Sequence, residues 1–396
     1  MRIWQYVAAA AASTAWAAAP AQAEAVRGLV FEASQRLNYD SNLYRLPDDA
    51  DPARGARSDL VSLTRLGASY SQLIGLQDVS LAVGVAATRY RESDHLDYDG
   101  LDVNGSWNWV VGRAWRGHLL ASQSQNLSGF DDFTGDERSV NTYRRIEFVG
   151  DRVITPRWFV GAGASHTTSD YSDDTRPDAD YRARGVSLRG GYQPRGGERV
   201  VVSIGRTHGE YPNRSASRFS DREYTQTDYR VTGSWAATGI TRFSGYLGYV
   251  TRSYDFADNR DYQGAVGRIE MAWQASGKLR ITGHARRELG AQEDLVDNYV
   301  VTEAVGVRPA WQFSDKVELS SELEYRRRDF GGDPGFFSEQ VADRREHQTR
   351  IGLSAGYHYS RALGFGASLR WESRNADSDA REYDATTASI SANLRF

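Results

Sequence analysis

Residues 79–87 read VSLAVGVAA, and the last nine residues, 388–396, read ASISANLRF. In the first stretch Val79, Leu81, Val83, Val85 and Ala87 alternate with Ser80, Ala82, Gly84 and Ala86. In the second, Ala388, Ile390, Ala392, Leu394 and Phe396 alternate with Ser389, Ser391, Asn393 and Arg395. A strand turns successive side chains to opposite faces, so each stretch reads as a strand with one greasy face and one small or polar face. The same period of two runs through Leu101, Val103, Trp107, Trp109 and Val111, and through Val317, Leu319, Leu323 and Tyr325.

Working outward from these stretches, the pattern marks eighteen segments. They fall at 27–39, 59–70, 78–91, 98–111, 115–126, 138–151, 158–171, 181–193, 199–211, 222–236, 241–254, 262–274, 279–289, 298–311, 316–328, 344–359, 363–373 and 383–396. Most are longer than ordinary globular strands and exceed the ~9–11 residues that cross a bilayer as a tilted strand. The links alternate too. After even-numbered segments they are brief, as in Gly112-Arg113-Ala114 and Ser360-Arg361-Ala362; after odd-numbered ones they are mostly longer and acidic, as in 40–58, 128–137, 173–180 and 329–343. Short turns at one end and long loops at the other are the habit of outer-membrane barrels. A soluble β-sandwich would show the same alternation within one strand. It does not account for strand length, alternating links and the aromatics near segment ends: Trp107, Trp109, Trp115, Trp158, Trp235, Trp273, Trp311 and Trp371. The expected fold is therefore all-β: a transmembrane antiparallel up-and-down barrel of about 18 strands, with 16 also admissible and both termini periplasmic.

Composition agrees once the barrel is considered. The 396 residues are 40% hydrophobic and 12% aromatic, with 38 Gly and no Cys, and mean hydropathy is −0.59. Such an average results when only alternate strand residues meet lipid. After the N-terminus no apolar run approaches the ~18 residues a membrane helix needs. The missing Cys excludes disulfide scaffolds, thiolate metal sites and Cys nucleophiles. Met1-Arg2, the apolar run 6–19 and Ala21-Gln22-Ala23 predict a cleaved signal peptide over 1–23 and Sec-dependent export, leaving 24–396 as one barrel domain. The mature chain then carries 47 basic and 52 acidic residues, a balance that argues against a nucleic-acid partner.

The leader, the alternating hairpins and the C-terminal Phe resemble Gram-negative outer-membrane proteins, and Phe396 is similar to the terminal signal read by the outer-membrane assembly machinery. More narrowly, Tyr39-Asp40-Ser41-Asn42-Leu43-Tyr44-Arg45 resembles the D-x-N-[LIF]-[FY]-R opening of the β-barrel porins encoded with exopolysaccharide clusters, the EpsL-like family. That resemblance implies passage of polysaccharide across the outer membrane and assigns no catalytic residue.

If the apolar parity meets lipid, the other parity lines the lumen. In the first half that face is small or hydroxylic, with Ser80, Gly84, Asn104, Ser106, Gly163, Ser165 and Ser203. From the tenth segment it becomes charged. Arg222, Arg230, Arg242, Arg252, Arg268, Arg280, Arg286, Arg308, Arg326, Arg328, Arg344, Arg350 and Arg370 interleave with Asp228, Glu270, Glu288, Glu318, Glu322, Glu324, Glu346 and Glu372. Pairing of these charges across the wall is one reading; a basic track for an anionic solute is the other. Tyr98, Tyr143, Tyr181, Tyr224, Tyr246, Tyr262 and Tyr383 share the non-lipid parity and suit either contact with sugar rings or an interface belt.

Enzyme and metal signatures are weak. The seven histidines, His95, His118, His166, His208, His284, His347 and His358, are scattered without metalloprotease, nucleophile-elbow or phosphate-loop spacing. His358-Tyr359-Ser360 is similar to the His-x-Ser pair of outer-membrane lipid A deacylases, but lies at the short-turn end. The acidic loop residues Asp48, Asp49, Asp51, Asp94, Asp97, Asp99, Asp131, Asp132, Asp136, Asp173, Asp174 and Asp178 lack the spacing of a calcium loop. No catalytic residue, cofactor or metal is expected. The expected function is a conduit in the Gram-negative outer membrane for a secreted, acidic exopolysaccharide. A general or substrate-specific porin for small anions and a non-conducting scaffold are the alternatives. Outer-membrane lipid, lipopolysaccharide, the polysaccharide and periplasmic export components are the expected partners. Residues 40–58 could fold inward as a constriction or outward as a lid.

Overall fold

The computed structural model describes residues 28–131, 135–172, 177–194, 198–214, 221–255, 261–290, 299–331 and 344–396. The predicted leader lies outside them, as do Asp132, Asp173 and Asp174. Eighteen strands are present among the described residues: β1 (Gly28–Asp40), β2 (Asp59–Ile74), β3 (Gln77–Tyr90), β4 (Tyr98–Val111), β5 (Trp115–Leu127), β6 (Val140–Val153), β7 (Trp158–Tyr171), β8 (Tyr181–Tyr192), β9 (Arg199–Glu210), β10 (Glu223–Ala236), β11 (Thr241–Tyr254), β12 (Tyr262–Gln274), β13 (Leu279–Gly290), β14 (Tyr299–Gln312), β15 (Val317–Gly331), β16 (Arg345–His358), β17 (Leu363–Ala376) and β18 (Tyr383–Arg395).

Each strand pairs antiparallel with its sequence neighbours, and β1 also pairs with β18, so the sheet closes into a barrel without an edge. Closure satisfies every ladder and removes the unpaired strand edges that a bilayer does not tolerate. Phe396 fastens the seam: Phe31 N donates to Phe396 O at 2.7 Å, Phe396 N donates to Phe31 O at 3.0 Å, and the two rings stack at 5.8 Å. A barrel of this strand number is too wide for its own side chains to fill.

The apolar parity faces out. Leu81, Val83 and Val85 of β3, Val186 and Leu188 of β8, and Leu319, Leu323 and Tyr325 of β15 are exposed, as only an outer face explains for residues of that size. Exposed Trp107, Trp115, Trp158, Trp235, Trp273 and Trp311 ring the short-turn end. Higher up, Tyr229, Tyr249, Tyr325 and Trp371 form a second outward aromatic level. At the short-turn end the chain reverses in a few residues, helped where left-handed backbone is needed by Gly75 (φ +62°) and Gly112 (φ +60°). The β2–β3 turn is only Gly75-Leu76, so β2 runs to Ile74, beyond the sequence reading of residue 70. There Leu73 and Ile74 are both exposed and break the alternation on which that reading relied.

Candidate functional site

The inward face of β10–β17 carries twelve guanidiniums and eight carboxylates. The guanidiniums are those of Arg230, Arg242, Arg252, Arg268, Arg280, Arg286, Arg308, Arg326, Arg328, Arg350, Arg370 and Arg374. The carboxylates are those of Asp228, Glu270, Glu288, Glu318, Glu322, Glu324, Glu346 and Glu372. The remaining wall is balanced, with Arg36, Arg65, Arg116, Arg145, Arg189, Arg199 and Arg395 against Glu32, Asp40, Asp59, Asp78, Asp102, Glu147 and Asp151. The basic surplus is confined to one side.

Many of these charges pair locally. Arg230 meets Asp228 at 2.8 Å, Arg268 meets Glu270 at 2.6 Å, and Arg286 meets Glu288 at 3.3 Å. Arg308 meets Glu322 at 2.5 Å, and Arg350 lies 2.6 Å from Glu372 and 3.7 Å from Glu324. Glu346 is buried among four guanidiniums: Arg328 at 2.5 Å, Arg344 and Arg374 at 3.6 Å, and Arg381 at 4.0 Å. Among the described residues, Arg242, Arg280 and Arg370 have no carboxylate within 4 Å. Two residues of the sequence-predicted track stand off the wall. Arg222 precedes β10 by one residue and is exposed at the rim, 4.0 Å from Glu210. Arg344 precedes β16 by one residue and lies over the Phe330 ring at 3.7 Å.

Loop residues 41–58 fold across the long-loop end, anchored by the heptad Tyr39–Arg45. Asp40 takes Arg45 as a bidentate pair, with both N–O distances 2.9 Å. The Asn42 amide donates to Leu46 O (2.8 Å) and to Asp384 O of β18 (3.0 Å), and Leu46 N donates back to Asn42 Oδ1 at 3.0 Å. These bonds hold a turn in which Arg45 has φ +56°, a conformation a non-glycine residue keeps only when its surroundings dictate it. The turn aims Arg45 at Asp131 (3.5 Å) and Glu372 (3.8 Å) and buries Tyr44 with Leu96 and Phe130. Gly55, at φ +75°, lies so close to Ser93 that a Cβ would strike its hydroxyl.

Residues 128–131, leaving β5, reach the far side of the β18–β1 seam. Tyr383 Oη donates to Asp131 Oδ1 at 2.9 Å, and Arg374 donates to the Asp131 carbonyl. A chord from β5 to β18 therefore lies over the mouth, and 41–58 lies with it. The acidic loop residues serve this architecture. Asp59 is buried and accepts from the backbone N–H groups of Arg91 and Glu92 at 3.0 and 3.1 Å through Oδ1, and from Ser93 at 2.9 Å through Oδ2. Asp97 accepts from Tyr90 N at 2.7 Å.

The latch is electrostatically robust. Burial inside the mouth would raise the Asp131 carboxyl, but Arg45, Arg326, Arg374 and Arg328 outweigh it and hold the pKa down at about 2, against an ordinary 3.8. The side chain itself keeps 30% of its surface open to the lumen, so the protein around it, rather than complete enclosure, sets the balance. Burial disfavours the Arg45 charge, yet Asp40, Asp131 and Glu372 raise its pKa. A carboxyl with a depressed pKa contributes its full stabilisation above its ordinary value and loses it as pH falls through the folded value. Proteolysis of loop 41–58 should accordingly be unchanged from pH 7 to pH 4 and rise only between 3.8 and about 2, as a limited digest with an acid-active protease will report.

Of the tyrosines predicted on the lumen face, Tyr98, Tyr143, Tyr181 and Tyr246 are half-exposed and three are buried. Tyr224 and Tyr262 are buried, and the rings of Tyr181, Tyr211, Tyr224 and Tyr254 adjoin in sequence at 6.2, 6.1 and 5.9 Å, each tilted against the next, with Arg252 over Tyr224 at 4.7 Å. Tyr383 is taken up in the latch. Ser360, of the His-x-Ser pair, accepts the N–H groups of Ala362 and Leu363 in a short turn at 3.2 and 3.0 Å. Among the described residues no three His, Asp or Glu are grouped to hold a metal ion. Arg374 and Arg381 escaped the sequence reading, and Arg45 and Asp131 entered it only within the heptad and as an acidic loop residue, not as partners. Arg374 shares the inward parity of Arg370 and Glu372 and was legible; the loop residues were not.

A family model described as "Putative beta-barrel porin 2" matches residues 177–396. No curated protein matches the chain in sequence. The outer membrane protein OpdK of Pseudomonas aeruginosa is similar in structure, with TM-score 0.52 and 12% identity over 93% of this chain and 99% of its own. So is a BenF-like porin from Pseudomonas fluorescens Pf-5, with TM-score 0.52 and 11% identity over 93% of this chain and 99% of its own. OccK2 (OpdF) of Pseudomonas aeruginosa, solved in complex with glucuronate, has TM-score 0.50 and 12% identity over 93% and 98%. Identities this low speak for the fold alone, a porin barrel. These matches leave the exopolysaccharide-associated type unconfirmed. Since the family model spans more than half of its length, the chain belongs to the outer-membrane β-barrel porins described as "Putative beta-barrel porin 2".

Proposed function

We propose that this porin is selective for small organic anions bearing carboxylates, with its long loops outside the cell and both termini in the periplasm. The observation that carries the proposal is the one-sided surplus of guanidiniums on β10–β17, opposite a neutral wall. Basic side chains along a pore bias it toward anions, and the planar guanidinium offers a carboxylate two parallel hydrogen bonds. Local Arg–carboxylate pairs fix the wall, while the surplus sets the potential that a passing anion meets. OccK2, similar in fold, was solved with glucuronate, a sugar carboxylate; that ligand class suits the Arg rows of this barrel.

Export of an acidic exopolysaccharide would draw on the same charges but has less support. Its local footing is the heptad Tyr39–Arg45, and those residues hold the loop lying across the mouth a polymer would thread. The reading is tested by single-channel current in planar bilayers. D-glucuronate added at the long-loop side should reduce the chloride current, and the same concentration of D-glucose should not. Equal effects of the two sugars would contradict it.

A further inference from the structure

We infer that the outward face of β8 and β9 binds a phosphate group of an outer-leaflet glycolipid through Arg182, Arg184 and Arg206. Parity places all three on the outer surface with Val186, Leu188, Val202 and Ile204, and all three are exposed. Cross-strand register orders them along their strands toward the long-loop end. Ile204 pairs with Tyr229, which pairs with Tyr249 in the upper aromatic level. Arg206 stands one outward row above Ile204, Arg184 lies opposite His208 in the next row, and Arg182 lies opposite Glu210 in the one after. Aromatic girdles mark the membrane interface, so this cluster begins where hydrocarbon gives way to headgroups. Arg184 and Arg206 are diagonal neighbours, a relation long side chains readily span, and Arg182 shares the outer face of β8 with Arg184.

What distinguishes these three is the lack of a counter-charge. Elsewhere on the outer face charges toward the long-loop end are neutralised: Arg144 by Asp170 at 3.0 Å, Arg89 by Asp99 at 2.8 Å, Arg287 by Glu303, and Arg327 and Arg345 by Asp329 at 2.9 and 3.2 Å. The acids nearest the cluster lie against other side chains. Glu210 lies with Arg222 at 4.0 Å and Glu223 with His208 at 3.6 Å. Among the described residues no carboxylate comes within 4 Å of Arg182, Arg184 or Arg206. Arg184 and Arg206, diagonal neighbours with no carboxylate within 4 Å, repel one another at the membrane surface, and Glu210 faces only Arg182. A phosphate in the plane of the outer leaflet relieves that repulsion and accepts several charge-assisted hydrogen bonds. A lipid fits better than a free ion, because the apolar side chains directly below the cluster are exposed to acyl chains.

The inference rests on the long loops facing outward, and its test is independent of anion selectivity. Native mass spectrometry of the detergent-purified barrel with bis-phosphorylated lipid A should show a retained adduct. Fully dephosphorylated lipid A should bind far more weakly. The triple substitution Arg182→Ser, Arg184→Ser, Arg206→Ser should weaken the phosphate-dependent binding by on the order of a hundredfold, at the usual contribution of a basic residue beside anionic lipid. Single-channel conductance and heat-modifiable gel mobility should stay as in the parent, which shows that the variant is folded. Arg144→Ser with Arg287→Ser should bind like the parent. Equal binding of the two lipids, an equal loss in the Arg144/Arg287 control, or displacement by inorganic phosphate at the concentration of the lipid would overturn the inference, the last by making the site one for free phosphate.

Discussion

Replacing residues 43–57 by a short Gly-Ser link should raise single-channel conductance several-fold while leaving the barrel folded. The excised segment holds the anchors of the lid. Tyr44 packs with Leu96 and Phe130, and Arg45 ties Asp40 to Asp131 and Glu372. Burying an aromatic or leucine side chain contributes about 1.5–3 kcal/mol, so this small cluster favours the closed arrangement. Without Tyr44 and Arg45 the 128–131 chord keeps its bonds to Tyr383 and Arg374 but loses the segment packed on it, and the part of the mouth that 43–57 covered is open. The ladders need none of the removed residues, because β1 and β2 pair from Asp40↔Asp59 downward. Heat-modifiable mobility should therefore match the parent. Unchanged conductance in a folded variant would place the narrowest point elsewhere.

Reversing three wall charges, Arg280→Glu, Arg286→Glu and Arg370→Glu, should convert an anion-preferring pore into a cation-preferring one. On β10–β17 the twelve positive and eight negative groups become nine and eleven. Arg280 and Arg370 have no carboxylate within 4 Å among the described residues, so their replacement breaks no local pair; Arg286 gives up one, with Glu288. Arg326 is left intact because its charge helps hold Asp131, and reversing it would open the lid as well as recharge the wall. The reversal potential in a KCl gradient should change sign, and a potential that stays on the anion side would remove the wall as the selectivity element.

Much of the barrel was legible because a strand with one face in lipid has to alternate. β4, β7, β11 and β12 begin and end where the period of two begins and ends. Parity alone also placed most of the arginines, since a guanidinium facing hydrocarbon at the midplane would cost about 2–4 kcal/mol. The lid was not legible. Its contacts join Arg45 and Asp131 to Glu372, Arg374 and Tyr383, residues brought together only by closure of β1 onto β18. The heptad Tyr39–Arg45 stood out as a family likeness, yet its physical role, a turn locked by Asp40 and Asn42, needed the partner strand to be seen. The tyrosines misled for a related reason. Parity put Tyr181 and Tyr224 inside, but their ring partner Tyr211 comes from beyond the end of β9, where no period of two could place it.

The surplus of guanidiniums on one wall should make this porin an anion channel. The reversal potential of the unaltered protein in a planar bilayer under a tenfold KCl gradient tests it most directly, because potassium and chloride have nearly equal mobility in water. The expected potential has the sign that marks chloride as the preferred ion. A potential of zero, one of the opposite sign, or the absence of any current would contradict it.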